Sequence, residues 1–284
     1  MSFNKEVIEK VKNTLINAST RFRDDQIKAY ENAIKNEDIE RSNWVMDKIL
    51  ENAKVANENK TPLCDDTGIP HLFLEVGKNR NLSGDLIKSI EEGVAEGLRE
   101  LPGRPMAVKG NEIERLEQSK GLYDDPGELL NAPIQIRYIE DDVIRLSILM
   151  QGGGPEIRSK TYRVFHEHKL SVIMDNIVNW VNEEVANLGC TPTVPAIGIG
   201  RTHYEASSLM IEAMVKRSLS EQNDMEKEIT KRINKSNVGP LGLGGNTTAL
   251  ATLLKIGPQR ASGVRIVCMR LSCCFEPRLA SIEL

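Results

Sequence analysis

The chain has 284 residues, of which 40% are hydrophobic and 27% are charged, and its formal net charge is -4. This composition excludes disordered, collagen-like and disulfide-stapled miniature proteins and predicts a folded globular protein. A slightly acidic chain lacks the positive field that nucleic acid or an anionic membrane surface requires, so neither is an expected partner. No signal peptide or membrane-length apolar run is evident, which predicts a cytoplasmic protein.

The first sixty or so residues are predicted to be helical. Apolar residues between Val7 and Leu15 recur at the spacing that places them on one helix face, and no helix breaker interrupts 37–59. We expect a helical scaffold over about 1–60. The region of about 61–284 is then expected to carry the chemistry of the protein.

The rest of the chain alternates between predicted strands and helices. In order, the predicted elements are a strand at 71–76, a helix capped by Ser83, a hairpin of strands 133–139 and 143–150, a helix at 172–188, a strand at 194–199, a helix at 205–219, a helix at 246–254 and a strand at 264–271. This order predicts an α/β (α+β) fold without one simple doubly wound sheet.

The chain contains five cysteines, an odd number, so a complete disulfide framework is not expected. No C-x-x-C pair is present, which argues against zinc ribbons and thioredoxin-like centres. Three predicted loops place cysteine beside glycine, proline or carboxylate, and they are Cys64–Gly68, Gly189–Pro192 and Cys273–Arg278. The alternative is that each cysteine is a small buried hydrophobic residue.

A glycine-rich segment at 239–245 does not match the P-loop pattern, because Gly245 and Asn246 stand where that pattern needs lysine and a hydroxyl residue. It does not match the dinucleotide-binding pattern either, because Thr247 stands where that pattern, started at Gly242, needs a small residue. We expect instead a helix that starts at Asn246 and Thr247, whose free N–H groups favour a carboxylate or another anion. A simple turn is the alternative.

Taken together, these motifs resemble the alpha subunit of the iron-sulfur hydro-lyases, the family of class I fumarate hydratase and L(+)-tartrate dehydratase. The family patterns C-Q-D-T-G, G-G-G-S-E, G-C-P-P and G-L-G-G-K-T-T-A-L are matched in order by Cys64–Gly68, Gly152–Glu156, Gly189–Pro192 and Gly242–Leu250. The resemblance runs from about residue 60 to the C-terminus. Asp65 replaces the usual glutamine and Asn246 the usual lysine, so the substrate stays open.

The resemblance implies a [4Fe-4S] cluster held by Cys64, Cys190 and Cys274. Three protein ligands leave one iron open to bind a substrate hydroxyl and carboxylate and to act as a Lewis acid. Cys274 forms the family's C-x-x-x-R pattern with Arg278, and Cys273 remains the alternative third ligand.

The same resemblance implies roles for four polar residues. Asp66 matches the family aspartate, which is expected to act in acid-base catalysis or to hydrogen-bond substrate, and Asp65 and Thr67 are expected to bind substrate. Arg104 lies in a Gly-Arg-Pro element in which Met106 replaces the family asparagine. Its guanidinium is expected to bind a substrate carboxylate through a bidentate contact.

The implied activity is interconversion of fumarate and (S)-malate, a reaction of the tricarboxylic acid cycle. The alternative substrate is L(+)-tartrate, which would give oxaloacetate. Fused family members carry a second domain that has no counterpart before Leu284. We therefore expect a separate beta subunit and a hetero-oligomer. A structural zinc protein using the same cysteines, with His203 or another ligand, is the alternative from a different class.

Overall fold

The computed structural model describes residues 4–284, which divide into two compact units. The first unit contains residues 4–21, Ala53–Gly152 and Arg278–Leu284, and the second contains Phe22–Asn52 and Gly153–Pro277. Each unit is built on a four-stranded mixed sheet accompanied by helices, which confirms the predicted α/β class. No helix in the described part of the chain is long and apolar enough to cross a membrane.

The helices are α1 (Lys5–Thr20), α2 (Asp24–Lys35), α3 (Glu40–Asn59), α4 (Gly84–Glu100), α5 (Glu112–Glu117), α6 (Gly153–Ile157), α7 (Leu170–Leu188), α8 (His203–Lys216) and α9 (Asp224–Asn234). The strands are β1 (Ile69–Gly77), β2 (Gln135–Ile139), β3 (Ile144–Gln151), β4 (Lys160–Phe165), β5 (Val194–Gly200), β6 (Leu253–Ile256), β7 (Val264–Ser272) and β8 (Arg278–Glu283). The first three helices confirm the expected helical N-terminal region, whose residues 1–3 lie outside the described residues.

The first unit packs α1 and α4 against a sheet of order β2-β1-β3-β8. The core of this unit joins the apolar faces of both helices to the inward residues of β1 and β3. The two helices approach closely at Gly93, where an added Cβ would lie 2.7 Å from the Cβ of Val11. Ser83 caps α4 by accepting a hydrogen bond from the N–H of Leu86, as predicted.

The second unit has a sheet of order β4-β7-β5-β6 with helices on both faces. Helices α7 and α9 contribute to a core with the side chains of Ile197 and Met269. On the opposite face α8 lies directly over β5, since a Cβ on Gly198 would be 2.0 Å from the carbonyl oxygen of Ala206. Cys268 of β7 faces α8, with its sulfur 3.7 Å from that of Met210.

The predicted hairpin of strands 133–139 and 143–150 is wrong. The two strands exist as β2 and β3, but β1 lies between them, parallel to β2 and antiparallel to β3. Each strand therefore gains a partner from a distant part of the sequence. Adjacency along the chain did not identify that partner.

The predicted helix at 246–254 is also wrong, because other groups take the backbone N–H groups that a helix would use. The Glu37 carboxylate accepts from Asn246 and Thr247 at 2.8 and 3.2 Å, and the Asn234 side chain accepts from Thr248 and Ala249 at 2.9 and 2.7 Å. The segment is irregular and leads into β6. The anion expected at these N–H groups is a carboxylate of the chain itself.

Sequence analysis missed several elements of the fold. Helix α9 has a clear local signal, since Asn223 and Glu226 form a reciprocal capping box at its start. No helix was predicted at the Gly152–Glu156 motif, yet the short helix α6 begins at Gly153. Strands β4, β6 and β8 are short edge strands, and their presence depends on β7, β5 and β3.

Candidate active site

The Cys64 motif occupies the loop between α3 and β1 in the first unit. Arg278, the arginine of the C-x-x-x-R pattern, is 2% exposed and contacts this loop. Its Nη1 donates hydrogen bonds to the carbonyl oxygens of Asp66 and Thr67 at 2.7 and 3.2 Å. The loop backbone is therefore held by a buried guanidinium, while half-buried Cys64 has its sulfur 3.7 Å from Oδ1 of Asp65.

The Asp66 carboxylate lies against the glycine motif Gly152–Glu156, which follows β3. A Cβ on Gly152 would be 2.7 Å from Oδ2 of Asp66 and 3.2 Å from Nη2 of Arg278. Only a residue without a side chain leaves room for the carboxylate at this point. The neighbouring Gln151 is buried, and its Nε2 has no hydrogen-bond partner among the described residues.

Arg104 lies beside the same motif on the segment after α4. The Thr67 hydroxyl donates to the carbonyl oxygen of Arg104 at 3.4 Å, and Gly103 allows this approach, because a Cβ there would lie 2.6 Å from Oγ1 of Thr67. The Arg104 Nη1 is 3.5 Å from Oδ2 of Asp65, and both side chains are well exposed. The first unit thus brings together the predicted residues Asp65, Asp66, Thr67 and Arg104.

The second unit brings together two of the three predicted cluster ligands. The N–H of Cys274 donates to the carbonyl oxygen of Cys190 at 2.8 Å, although 84 positions separate them in the sequence. Cys190 is exposed on the loop after α7, whereas Cys274 is 4% exposed. The Cys274 carbonyl oxygen accepts a hydrogen bond from the hydroxyl of Tyr30 at 2.6 Å.

A buried ion pair closes the turn that carries Cys273 and Cys274. Arg270 and Glu276 lie on either side of the cysteines, both side chains are fully buried, and Nη2 of Arg270 is 3.1 Å from each carboxylate oxygen. Glu156, the last residue of the glycine motif, contacts Nη1 of Arg270 at 2.5 Å. The motif therefore supports the cysteine turn, which sequence analysis did not anticipate.

The glycine-rich segment 239–245 supports the other cysteine loop of the second unit. The Thr191 hydroxyl donates to the carbonyl oxygen of Gly239 at 2.6 Å, and the N–H of Leu241 donates to the carbonyl oxygen of Thr191 at 3.1 Å. Since Thr191 follows Cys190 directly, these bonds restrain the backbone beside a predicted ligand.

The environment of the second-unit cysteines changes the pKa of nearby groups. Desolvation by the surrounding protein atoms raises the pKa of the Cys190 thiol, and the nearby Cys273 raises this pKa further. Burial raises the pKa of Tyr30 well above its ordinary value, with smaller contributions from Cys274 and Cys273. The Tyr30 phenol therefore stays protonated and acts as a hydrogen-bond donor.

None of the five cysteines forms a disulfide in the structure. Across residues 4–284, no group of three or more His, Cys, Asp or Glu side chains is arranged to hold a single metal ion. The predicted site residues are divided between the units, with Cys64, Asp65, Asp66, Thr67 and Arg104 in the first and Cys190 and Cys274 in the second.

Similarity to known proteins assigns the chain to a family. The family model described as fumarate hydratase (fumerase) matches residues 8–283. A putative L(+)-tartrate dehydratase subunit alpha of Methanocaldococcus jannaschii is 36% identical over 266 residues, which cover 89% of this chain and 88% of that protein. The chain belongs to the fumarate hydratase (fumerase) family.

Two proteins that are less similar to this chain carry related names. The L(+)-tartrate dehydratase subunit alpha of Escherichia coli K12 is 21% identical over 92% of this chain and 86% of its own length. A putative class I fumarate hydratase of Geobacillus stearothermophilus is 26% identical over 71% of this chain but only 40% of its own length. Fumerase membership and these names support a hydro-lyase activity, without resolving the substrate.

Proposed function

We propose that this chain is the alpha subunit of an iron-sulfur hydro-lyase that interconverts fumarate and (S)-malate. The structural observation that carries the proposal is the hydrogen bond from the Cys274 N–H to the Cys190 carbonyl oxygen, because it joins two of the three loops expected to bind the cluster. Membership of the fumerase family supports the reaction class.

The donor set of the chain fits a [4Fe-4S] cluster bound by Cys64, Cys190 and Cys274. Soft thiolates are the ligands that iron-sulfur clusters require, and all three cysteines are outside disulfides. Ser272, two residues before Cys274, is fully buried, and its hydroxyl has no hydrogen-bond partner among the described residues. A buried donor without a partner beside a candidate ligand is consistent with a bound group that accepts hydrogen bonds.

When bound, the cluster supplies an open iron that withdraws charge from the leaving hydroxyl. The remaining tasks fall to residues of the first unit. Asp66 is proposed to exchange a proton at its carboxylate, which Gly152 leaves room for. Arg104 is proposed to bind a substrate carboxylate, and Thr67 holds the backbone of Arg104 through its hydroxyl.

L(+)-tartrate is the second candidate substrate, because the relatives from Methanocaldococcus jannaschii and Escherichia coli carry that name. Loss of water from tartrate gives the enol of oxaloacetate. Asp65 is the residue of this chain that bears on the choice, since its carboxylate lies 3.5 Å from Arg104 and competes with a substrate carboxylate for that guanidinium.

The names of the same relatives include the words subunit alpha, which supports a separate beta subunit as partner. We propose a hetero-oligomer in the cytoplasm in which the beta subunit completes the site. Closure by a second chain would exclude water from the reacting groups and strengthen their electrostatic interactions.

The experiment is anaerobic reconstitution of the chain, followed by iron and sulfide analysis and by assays with the candidate beta chain on (S)-malate, fumarate and L(+)-tartrate. Cys64→Ser, Cys190→Ser and Cys274→Ser should each lose the cluster, and the matched control Cys268→Ser should retain it. A colourless protein that binds zinc would refute the proposal. Loss of the cluster in Cys273→Ser but not in Cys274→Ser would move the third ligand to Cys273.

A further inference from the structure

Within residues 4–284, Tyr30 is the one fully buried tyrosine, and its hydroxyl contacts a cysteine residue. The residue is 0% exposed, and its Oη lies 2.6 Å from the carbonyl oxygen of Cys274. It belongs to α2, 244 positions before Cys274, and both residues lie in the second unit. This contact was outside the motifs identified from the sequence.

The ring of Tyr30 is fixed independently of its hydroxyl. It stacks on Phe22 with ring centroids 5.6 Å apart and an interplanar angle of 3°. Phe22 in turn packs against Phe275, with ring centroids 6.2 Å apart. Because aromatic packing holds the ring, the hydroxyl reaches the Cys274 carbonyl at little cost in conformational freedom.

Cys274 is consequently restrained on both sides of its Cα atom. Its N–H is bonded to Cys190 at 2.8 Å and its carbonyl oxygen to Tyr30 at 2.6 Å. Cys273 is held differently, since its carbonyl oxygen accepts from the N–H of Glu276 at 3.0 Å and its side chain is only half-buried. The peptide groups on both sides of the Cys274 Cα atom are thus hydrogen-bonded, one to Cys190 and the other to Tyr30.

We infer that Tyr30 is a positioning residue for Cys274, holding its backbone beside Cys190 so that both thiols are presented to one bound iron-sulfur group. The inference rests on the proposed function and deepens it. A preorganised ligand set loses less entropy when the iron-sulfur group binds. Opening of the Cys274 turn is then the step that releases the group. Loss of the Tyr30 hydroxyl removes a hydrogen-bond donor from a buried carbonyl oxygen.

The test compares Tyr30→Phe with two matched controls in the same unit. Tyr204→Phe makes the same chemical change on a side chain that is 82% exposed. Ile229→Val removes one methylene group from the core of α9 and lowers stability by a comparable amount without touching the cysteine turn. Thermal unfolding of the three metal-free variants records any general loss of stability.

Two further measurements report on Cys274. The first is the rate at which the anaerobically reconstituted chain releases iron to a chelator. The second is the rate at which iodoacetamide alkylates Cys274 in the metal-free chain, mapped by peptide mass spectrometry with Cys268 as internal reference. Tyr30→Phe should raise both rates about tenfold, and both controls should match the unmodified chain.

Rates in Tyr30→Phe equal to those in Ile229→Val would overturn the inference, because the hydroxyl would then contribute only general stability. The two proposals can fail separately. If the unmodified chain takes up no cluster, the proposed cofactor is refuted. The alkylation rates then decide by themselves whether Tyr30 positions Cys274.

Discussion

Asp66 illustrates how a single residue is placed by its surroundings. Its carbonyl oxygen is held by Arg278, and its carboxylate occupies space that exists because residue 152 is glycine. A buried guanidinium therefore holds the backbone of Asp66, and a glycine leaves room for its side chain. Substitutions can therefore test the carboxylate and its placement independently.

The first prediction at this scale concerns the carboxylate itself. Asp66→Asn retains the shape of the side chain but cannot exchange a proton, so turnover by the complex with the beta chain should fall by about 10² to 10⁴. The cluster content should be unchanged. Steady-state kinetics with iron analysis of the same sample check both statements. Turnover near that of the unmodified protein would remove Asp66 from the mechanism.

A second prediction tests the placement of that carboxylate. Gly152→Ala would put a Cβ 2.7 Å from Oδ2 of Asp66, so the carboxylate must move. We expect turnover to fall at least about tenfold with the cluster retained, since small displacements of a catalytic group are costly. Gly154→Ala is the matched control, because a Cβ there meets no atom within 4 Å. Equal kinetics in the two variants would contradict the expected displacement.

At the scale of elements, the segment from Gly239 to Leu250 depends on partners supplied by other elements. Glu37, just after α2, accepts the N–H groups of Asn246 and Thr247, and Thr191 bonds to the backbone of Gly239. The segment needs no regular structure, since side chains and neighbouring loops satisfy these backbone groups. The conformation of this segment is therefore set by tertiary contacts.

The prediction that follows is a loss of stability in Glu37→Ala. Removal of the carboxylate leaves the N–H groups of Asn246 and Thr247 without their acceptor, which should lower the free energy of unfolding by about 1 to 3 kcal/mol. Denaturant unfolding measures the change. Glu31→Ala, at an exposed position of α2, is the control and should stay within about 0.5 kcal/mol of the unmodified chain. A similar value for both would show that water replaces Glu37 without cost.

Much of the element list follows from local patterns. The helix α4 was predicted from Ser83 and its apolar spacing, and α7 from its periodicity and the terminal Gly189. Pairing was not predictable in the same way. Strand β1 lies between β2 and β3 because the sheet is assembled from non-local hydrogen bonds, which carry no signal in the intervening turn.

At the scale of the whole molecule, the proposed site residues belong to two separate units of the chain. Predicted ligands and substrate-binding residues are contributed by both units, with Cys64 in one and Cys190 and Cys274 in the other. Arg104, which is proposed to bind substrate, and Asp65 beside it are both exposed in the isolated chain. The exposure of Arg104 and Asp65 accords with a site that a partner chain completes.

The corresponding prediction is that catalysis requires both subunits. The reconstituted alpha chain should hold its cluster yet show no measurable dehydration of (S)-malate or L(+)-tartrate until the candidate beta chain is added. Sedimentation should show association over the same concentration range as the gain of activity. Full activity of the alpha chain alone would refute the two-subunit proposal, and the ratio of the two activities identifies the substrate.

The candidate site shows the same division between local and tertiary information. Sequence motifs identified Cys64, Cys190 and Cys274 and the loops that carry them, because glycine, proline and cysteine in fixed order reflect local backbone requirements. Whether these residues bind a cluster remains a prediction. The partners that hold the loops, among them Tyr30, Arg270 and Arg278, carry no such pattern.

The sequence alone therefore determined the α/β class, most helices and strands, the family resemblance and the candidate residues, since these depend on local spacing and on the order of motifs along the chain. Only the tertiary structure decided that β1 separates β2 from β3, that Glu37 is the carboxylate bound at Asn246 and that Tyr30 holds Cys274. These contacts join residues far apart in the chain. Their formation depends on packing and on the need of buried polar groups for partners, which local spacing does not encode.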